Sequence, residues 1–287
     1  ASIKFSGHTG ICITVNAEAV KGGGFLSIDS ANGRYFGAIQ LEVFKLGISA
    51  RGILETKMPD GKPGYSLLVA INVKFSTPIQ LSMNFTLLEV GGIIGVNRTM
   101  NVPALQGALG TDALNAVMFA PKPVEDAPKI IAAMAEFFPA AEGRYIFGPM
   151  FKIGWGNPTL LTAEIGVIIE VPNPVRIALI GLIDAYMPRK IEVSKDKYTA
   201  LVELHLDVLG VLDLGERTLA IDAKLYDSKI AEMKVSGDMA LRMSWGDAPD
   251  FALSVGGFHP AFRPPAGFPD LKRFTMAMGT SKARVDL

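Results

Sequence analysis

Residues 238–245, Asp238-Met239-Ala240-Leu241-Arg242-Met243-Ser244-Trp245, decide how the chain is read. Met239, Leu241, Met243 and Trp245 fall on one side of an extended backbone and Asp238, Ala240, Arg242 and Ser244 on the other, the period of two that marks a strand with one apolar face. The pattern recurs. Val202, Leu204, Leu206 and Val208 oppose Glu203, His205 and Asp207, and Leu219, Ile221, Ala223 and Leu225 oppose Asp222, Lys224 and Tyr226. Ile79, Leu81, Met83, Phe85 and Leu87 oppose Gln80, Ser82, Asn84 and Thr86, which predicts one strand over 79–87. The fold class is therefore mainly β: a large antiparallel curved sheet, or a partly closed barrel or groove, oily on one surface and wet on the other.

Composition bounds the rest. At 287 residues the chain can bury a core without staples, and 49% hydrophobic against 20% charged residues excludes disorder for most of it. Lys plus Arg and Asp plus Glu both number 28, so no bulk field recruits nucleic acid or an anionic bilayer. Cys12 is the one cysteine; it cannot form an internal disulfide and reads as a small core hydrophobe. Residues 1–5 lack the features of a secretory signal, and the chain reads as a piece excised from a longer protein. The greasiest region, 165–187, is broken by Glu170, Pro172, Pro174, Arg176 and Asp184, so it is not a membrane-crossing helix.

Three regions follow: an N-terminal β meander (1–99), a helical insert (100–139) and a C-terminal antiparallel region (140–287) continuous with the first sheet. Turns are expected at Gly22, Gly23 and Gly24, at Asn32-Gly33 as a type I′ hairpin, and at Pro59-Asp60-Gly61. In the insert, Pro103 opens one short helix that Gly110 stops, Thr111 caps a second, and Asp126 caps a longer one ended by Pro139. Ile130, Ile131, Met134, Phe137 and Phe138 give that last helix an apolar stripe that should lie across the sheet. A weak repeat links Trp155-Gly156-Asn157 to Trp245-Gly246-Asp247.

Chemistry-bearing residues are sparse. Glu203, His205 and Asp207 share one face of one strand, but residues four apart there are separated by about 13 Å, too far to ligate one ion; they read as a solvated face. His8 and His259 are isolated, and no zinc, serine-nucleophile or phosphate-loop motif occurs, so no catalytic, metal or cofactor residues are assigned. Phe258, His259, Phe262, Arg263 and Phe268, interleaved with prolines, read as a stiff crossover, or as the lip or docking loop of an apolar site where Arg263 and His259 meet an anionic head group. Leu81, Met83, Phe85, Met239, Leu241, Met243 and Trp245 are the candidate lining of an apolar groove, with methionine suiting either a variable ligand or a core.

The run Gly143-Arg144-Tyr145-Ile146-Phe147-Gly148-Pro149-Met150-Phe151-Lys152-Ile153-Gly154-Trp155-Gly156-Asn157-Pro158-Thr159-Leu160-Leu161 resembles a segment of a domain of unknown function in very large, repetitive bacterial proteins. Leu225-Tyr226-Asp227-Ser228, Ser236-Gly237-Asp238-Met239-Ala240-Leu241-Arg242 and Val255-Gly256-Gly257-Phe258-His259-Pro260 extend the match. The resemblance implies a repetitive β-rich module and transfers no active site. The functional expectation is a non-enzymatic scaffold without cofactor, whose apolar groove, plugged or capped by the insert, takes lipid or another apolar ligand. Its partners would be flanking modules of the same polypeptide, or identical copies paired through sheet edges. A structural assembly module of a surface or secreted protein is the alternative, with an outer-membrane barrel and an enzyme ranked below.

Overall fold

In the computed structural model, residues 2–6, 10–17, 19–187, 192–194, 197–198, 201–259, 261–265, 267–280 and 283–286 are described. The strands are β1 (Ser2–Ser6), β2 (Gly10–Asn16), β3 (Val20–Asp29), β4 (Arg34–Val43), β5 (Leu46–Lys57), β6 (Pro63–Gln80), β7 (Phe85–Arg98), β8 (Ala140–Trp155), β9 (Leu161–Val171) and β10 (Arg176–Met187). After them come β11 (Glu192–Ser194), β12 (Lys197–Tyr198), β13 (Val202–Asp213), β14 (Thr218–Ile230), β15 (Met233–Ser244), β16 (Asp250–Val255), β17 (Thr275–Thr280) and β18 (Ala283–Asp286). Three helices, α1 (Val102–Gly107), α2 (Ala113–Val117) and α3 (Ala127–Phe137), lie between β7 and β8.

All strands but β11 and β12 form one 16-stranded antiparallel sheet, in the order β1 to β10, β13, β14, β15, β17, β18, with β16 also on β15. Among the described residues the sheet is open, since β1, β16 and β18 each have a single neighbour. Nearest-neighbour pairing is what short turns between alternating strands produce. One such turn, Pro59-Asp60-Gly61, joins β5 to β6. Asp60 there accepts from the Lys62 amide and pairs with its ammonium at 2.9 Å, which holds the carboxyl below the usual range.

The alternation over 79–87 is a hairpin, not one strand. β6 ends at Gln80 and β7 begins at Phe85, with positive φ at Met83 and Asn84 and the Phe85 amide donating to the Ser82 carbonyl. Ile79 pairs with Leu87 and Gln80 with Thr86, so residues of equal parity face each other and the period of two passes through the turn unbroken. Gly22, Gly23 and Gly24 form no turn; they lie inside β3. A Cβ on Gly22 would stand 2.0 Å from the Gln40 carbonyl oxygen, so glycine permits the close approach of β4 there. The Asn32-Gly33 turn has positive φ at Gly33 alone and is closed by the Asp29 carboxylate on Asn32, not by a type I′ pair.

Helices form where expected, with different caps. The Asn101 side chain accepts from the Ala104 amide ahead of α1, and Asp126 precedes α3 without a side-chain cap. The hydroxyl of Thr111 accepts from the Ala113 amide, while Asp112 holds the position before α2. Ile130, Ile131, Met134, Phe137 and Phe138 are buried in one core with Leu68, Ile93, Ile146, Ile168, Ile180 and Leu209 of the sheet.

The insert covers the face opposite to the one expected. Arg51 of β5 is 1% exposed, and its guanidinium Nη2 donates to the carbonyls of Val117 and Met118 at 2.7 Å each. Asn72 of β6 donates to the same Met118 carbonyl. Asp207 of β13 accepts from the Gly110 amide at 2.7 Å, Lys224 of β14 donates to the Leu109 carbonyl, and Gln106 donates to Asp222. The polar members of the alternating strands therefore point at the helices. Short helices leave backbone amides and carbonyls unbonded at their ends, and side chains from β5, β6, β13 and β14 supply missing partners.

Replacing Arg51 by alanine would strand the buried Val117 carbonyl and leave Met118 with Asn72 as its one side-chain donor, so Arg51→Ala should cost about 1–3 kcal/mol in urea unfolding, whereas Lys122→Ala at the exposed Lys122–Glu125 pair should cost less than about 0.5 kcal/mol. Equal costs at the two positions would show that Arg51 does not hold the insert.

Candidate functional site

Pairing registers sort every strand residue onto one of two faces. From β3 to β16 a single cross-strand row reads Leu26, Gly37, Gly52, Val69, Ile94, Phe147, Ile169, Ile177, Leu212, Leu219, Met243 and Phe251. The row through Leu41, Ile48, Val73, Val90, Phe151, Ile165, Gly181, Val208, Ala223, Met239 and Val255 is as free of polar side chains. Between them lies a third, with Ile39, Ala50, Ile71, Leu179, Ile221, Leu241 and Leu253 among its members. Among the described residues, no helix covers this bare face. Ile94, Ile71, Leu179, Phe147, Phe251 and Val255 are exposed on it, which reverses the usual sheet with its apolar side buried.

The helix-bearing face carries the charges. One of its rows runs Lys74, Glu89, Lys152, Glu164, Leu182, Asp207, Lys224 and Asp238, with signs alternating along much of its length. Lys152 and Glu164 pair at 2.8 Å beside a cavity of about 380 Å³ that Asp112, Lys129 and Asp184 also line. Glu170, fully buried, accepts from the Thr99 hydroxyl at 2.5 Å and the Met100 amide at 3.3 Å, and binds Arg144 at 3.0 Å and Arg176 at 3.3 Å. It thereby ties the start of the insert to β8 and β10. Arg98, also buried, donates to the Phe138 carbonyl and to Glu55, tying down the insert's end. These groups are committed to holding the helices.

Glu203, His205 and Asp207 are not a solvated face. They project toward the insert side, where Asp207 is buried and the His205 imidazole meets Asp184 at 2.6 Å and Glu203 at 3.5 Å. The reason is that Asp207 satisfies the Gly110 amide, a demand invisible in the strand itself. Asp247 follows the end of β15 that lies level with Asp213, eight residues along β13 from His205. Among the described residues, no group of three or more His, Cys, Asp or Glu is placed to hold a metal ion.

The other candidates scatter. Leu81 and Met83 sit exposed at the tip of the β6–β7 hairpin, Met83 at 85%, with Phe85 beside them. Met239, Leu241, Met243 and Trp245 lie on or at the rim of the bare face, so they do not line a groove beneath the insert. A shallow groove of about 350 Å³ does lie on the bare face, floored by Gly24, Gly37 and Gly52 and rimmed by Ile13, Leu26, Ile39 and Val69. Sequence reasoning missed it because its signal is three glycines on different strands that only the register brings together. Phe258 packs on Phe262 and Phe268 with ring centroids 4.8 and 4.9 Å apart, and Arg242 stands 5.9 Å over Phe268. That loop is thus anchored on the helix-bearing face of β15, while His259 and Arg263 remain exposed. His8 and Pro260 lie outside the described residues. Cys12 is partly buried and free.

A family model described as a family of unknown function, DUF6603, matches residues 1–287. The fold and the site define a β-sheet domain of that kind, and the chain belongs to this family. No curated protein matches it, and no solved structure does.

Glu170→Ala removes the one carboxylate shared by Thr99, Met100, Arg144 and Arg176 and should destabilise the fold by roughly 3–5 kcal/mol. Limited proteolysis should then cut first within 99–139; unchanged cleavage there would mean that the insert is held elsewhere.

Proposed function

We propose that this domain is a non-enzymatic scaffold whose bare sheet face binds the acyl chains of lipid. The observation that carries the reading is the run of cross-strand rows, up to twelve strands wide, in which no side chain offers a hydrogen-bond donor, acceptor or charge. Soluble proteins rarely leave a contiguous apolar patch larger than roughly 300–600 Å² open to water, and these rows run across the width of the sheet with Ile71, Ile94, Leu179 and Phe251 exposed along them. A protein partner would find no polar mark on it to set register, whereas hydrocarbon needs none. The glycine-floored groove gives individual chains a place to lie.

A second role, as an assembly module joined to flanking modules or to copies of itself, is favoured by the free edges at β1, β16 and β18, which offer unpaired backbone to another strand. Light scattering on lipid-free protein separates the two roles: concentration-dependent growth without lipid supports edge pairing.

Leu179 and Ile221 lie in the middle of the bare face. The double variant Leu179→Lys, Ile221→Lys should lose flotation with phosphatidylcholine vesicles by at least about tenfold, given ~2–4 kcal/mol for a lysine at such depth. Glu216→Lys, in the turn between β13 and β14, should float as the parent does. Lipid mass spectrometry of the purified parent provides a second readout, and vesicle binding that survives the double substitution would remove the bare face from the function.

A further inference from the structure

We infer that the strands cross the acyl layer of a bilayer from one interface to the other, and do not lie flat against it. This orientation rests on the lipid reading above and adds a direction to it. Along β8 the residues on the bare face run from Tyr145 through Phe147, Pro149, Phe151 and Ile153 to Trp155. Ten steps at ~3.3 Å make about 33 Å, and a strand tilted by ~40° then spans ~25 Å, the height of the apolar band on membrane-crossing sheets.

The chain has two tryptophans, and they mark the two ends of that band. Trp155 pairs with Leu161, which pairs with Ala185 near the end of β10. Trp245 directly follows Ser244, whose row continues through Thr218 and Asp213 to Arg176 at the start of β10. Both indoles are about one-third exposed and share the bare face's parity. Amphipathic rings favour membrane interfaces, so one at each margin of an uncharged band fits strands that cross it. A flat-lying sheet would give the two margins no common distinction from the middle. The polar face, with its ion pairs and helical plug, then lies on the side away from hydrocarbon.

Acyl chains cannot satisfy backbone amides, so crossing requires the free edges to pair. Among the described residues, eleven strands, β3 to β10 and β13 to β15, hold ten or more residues and are long enough to cross such a band, and the shorter β1, β2 and β16 continue the antiparallel order at the two edges.

The test is depth-dependent fluorescence quenching in phosphatidylcholine vesicles carrying bromine either near the glycerol or near the chain ends. Three proteins are compared: Trp155→Phe, Trp245→Phe, and Leu179→Trp in the doubly Phe-substituted background. The two native indoles should each be quenched at least about twofold more by shallow than by deep bromine, and the probe at 179 should show the opposite preference. Equal depth at all three positions would overturn the crossing orientation while leaving lipid binding intact. Absence of quenching at all three would overturn lipid binding itself. Circular dichroism of each variant confirms that the sheet is formed before the comparison is made.

Discussion

Backbone groups at the ends of three short helices must find hydrogen-bond partners, and the sheet supplies them. α2 contains five residues and α1 six, too few to bond many of their own amides and carbonyls. Arg51, Asn72, Arg98, Glu170, Asp207 and Lys224 reach across to do it, from β5, β6, β7, β9, β13 and β14. Because a strand sends successive side chains to opposite faces, fixing the polar set on the helix side sends the apolar set to the other. The bare face is thus a geometric consequence of how the insert is held.

The strands, the insert and the antiparallel arrangement were legible in the sequence because period and turn chemistry are local. The orientation of the faces was not. Alternation in Val202 to Val208 or Met239 to Trp245 says that two faces differ, and gives no sign of which one a distant segment will cover. Burial of the oily face is the ordinary outcome, and it fails here because Asp207 and Lys224 are needed by Gly110 and Leu109 about a hundred residues away. The 79–87 segment failed for a different reason: a hairpin that pairs residues of equal parity preserves the very signal used to detect a strand. At Gly22 the clue to a strand was the nearness of a neighbouring backbone, which composition alone cannot convey.

Glycine also shapes the candidate surface. Gly148 on β8 has no space for a side chain, since a Cβ would stand 1.9 Å from the Val167 carbonyl oxygen, so β8 and β9 approach each other unusually closely at the middle of the sheet. Gly37 and Gly52, adjacent in one row of the bare face, instead remove bulk between Leu26 and Val69 and open the shallow groove. The same residue type thus tightens the sheet in one place and hollows its surface in another. Neither effect involves a polar group, so the groove adds relief to the face without adding specificity for a particular head group.

The echo between Trp155-Gly156-Asn157 and Trp245-Gly246-Asp247 takes on a different meaning in this light. Each motif closes a strand and starts a turn, with positive φ at Gly156 and Gly246. From β8 to β15 there are five steps across the sheet, through β9, β10, β13 and β14, and an odd number of antiparallel steps reverses direction. A duplicated structural unit would need an even number to keep its orientation. The two motifs therefore stand at opposite ends of the sheet, and what they have in common is a demand made by both margins: an indole beside a tight turn where the apolar band stops. Shared surroundings account for the likeness without any repeat of the fold.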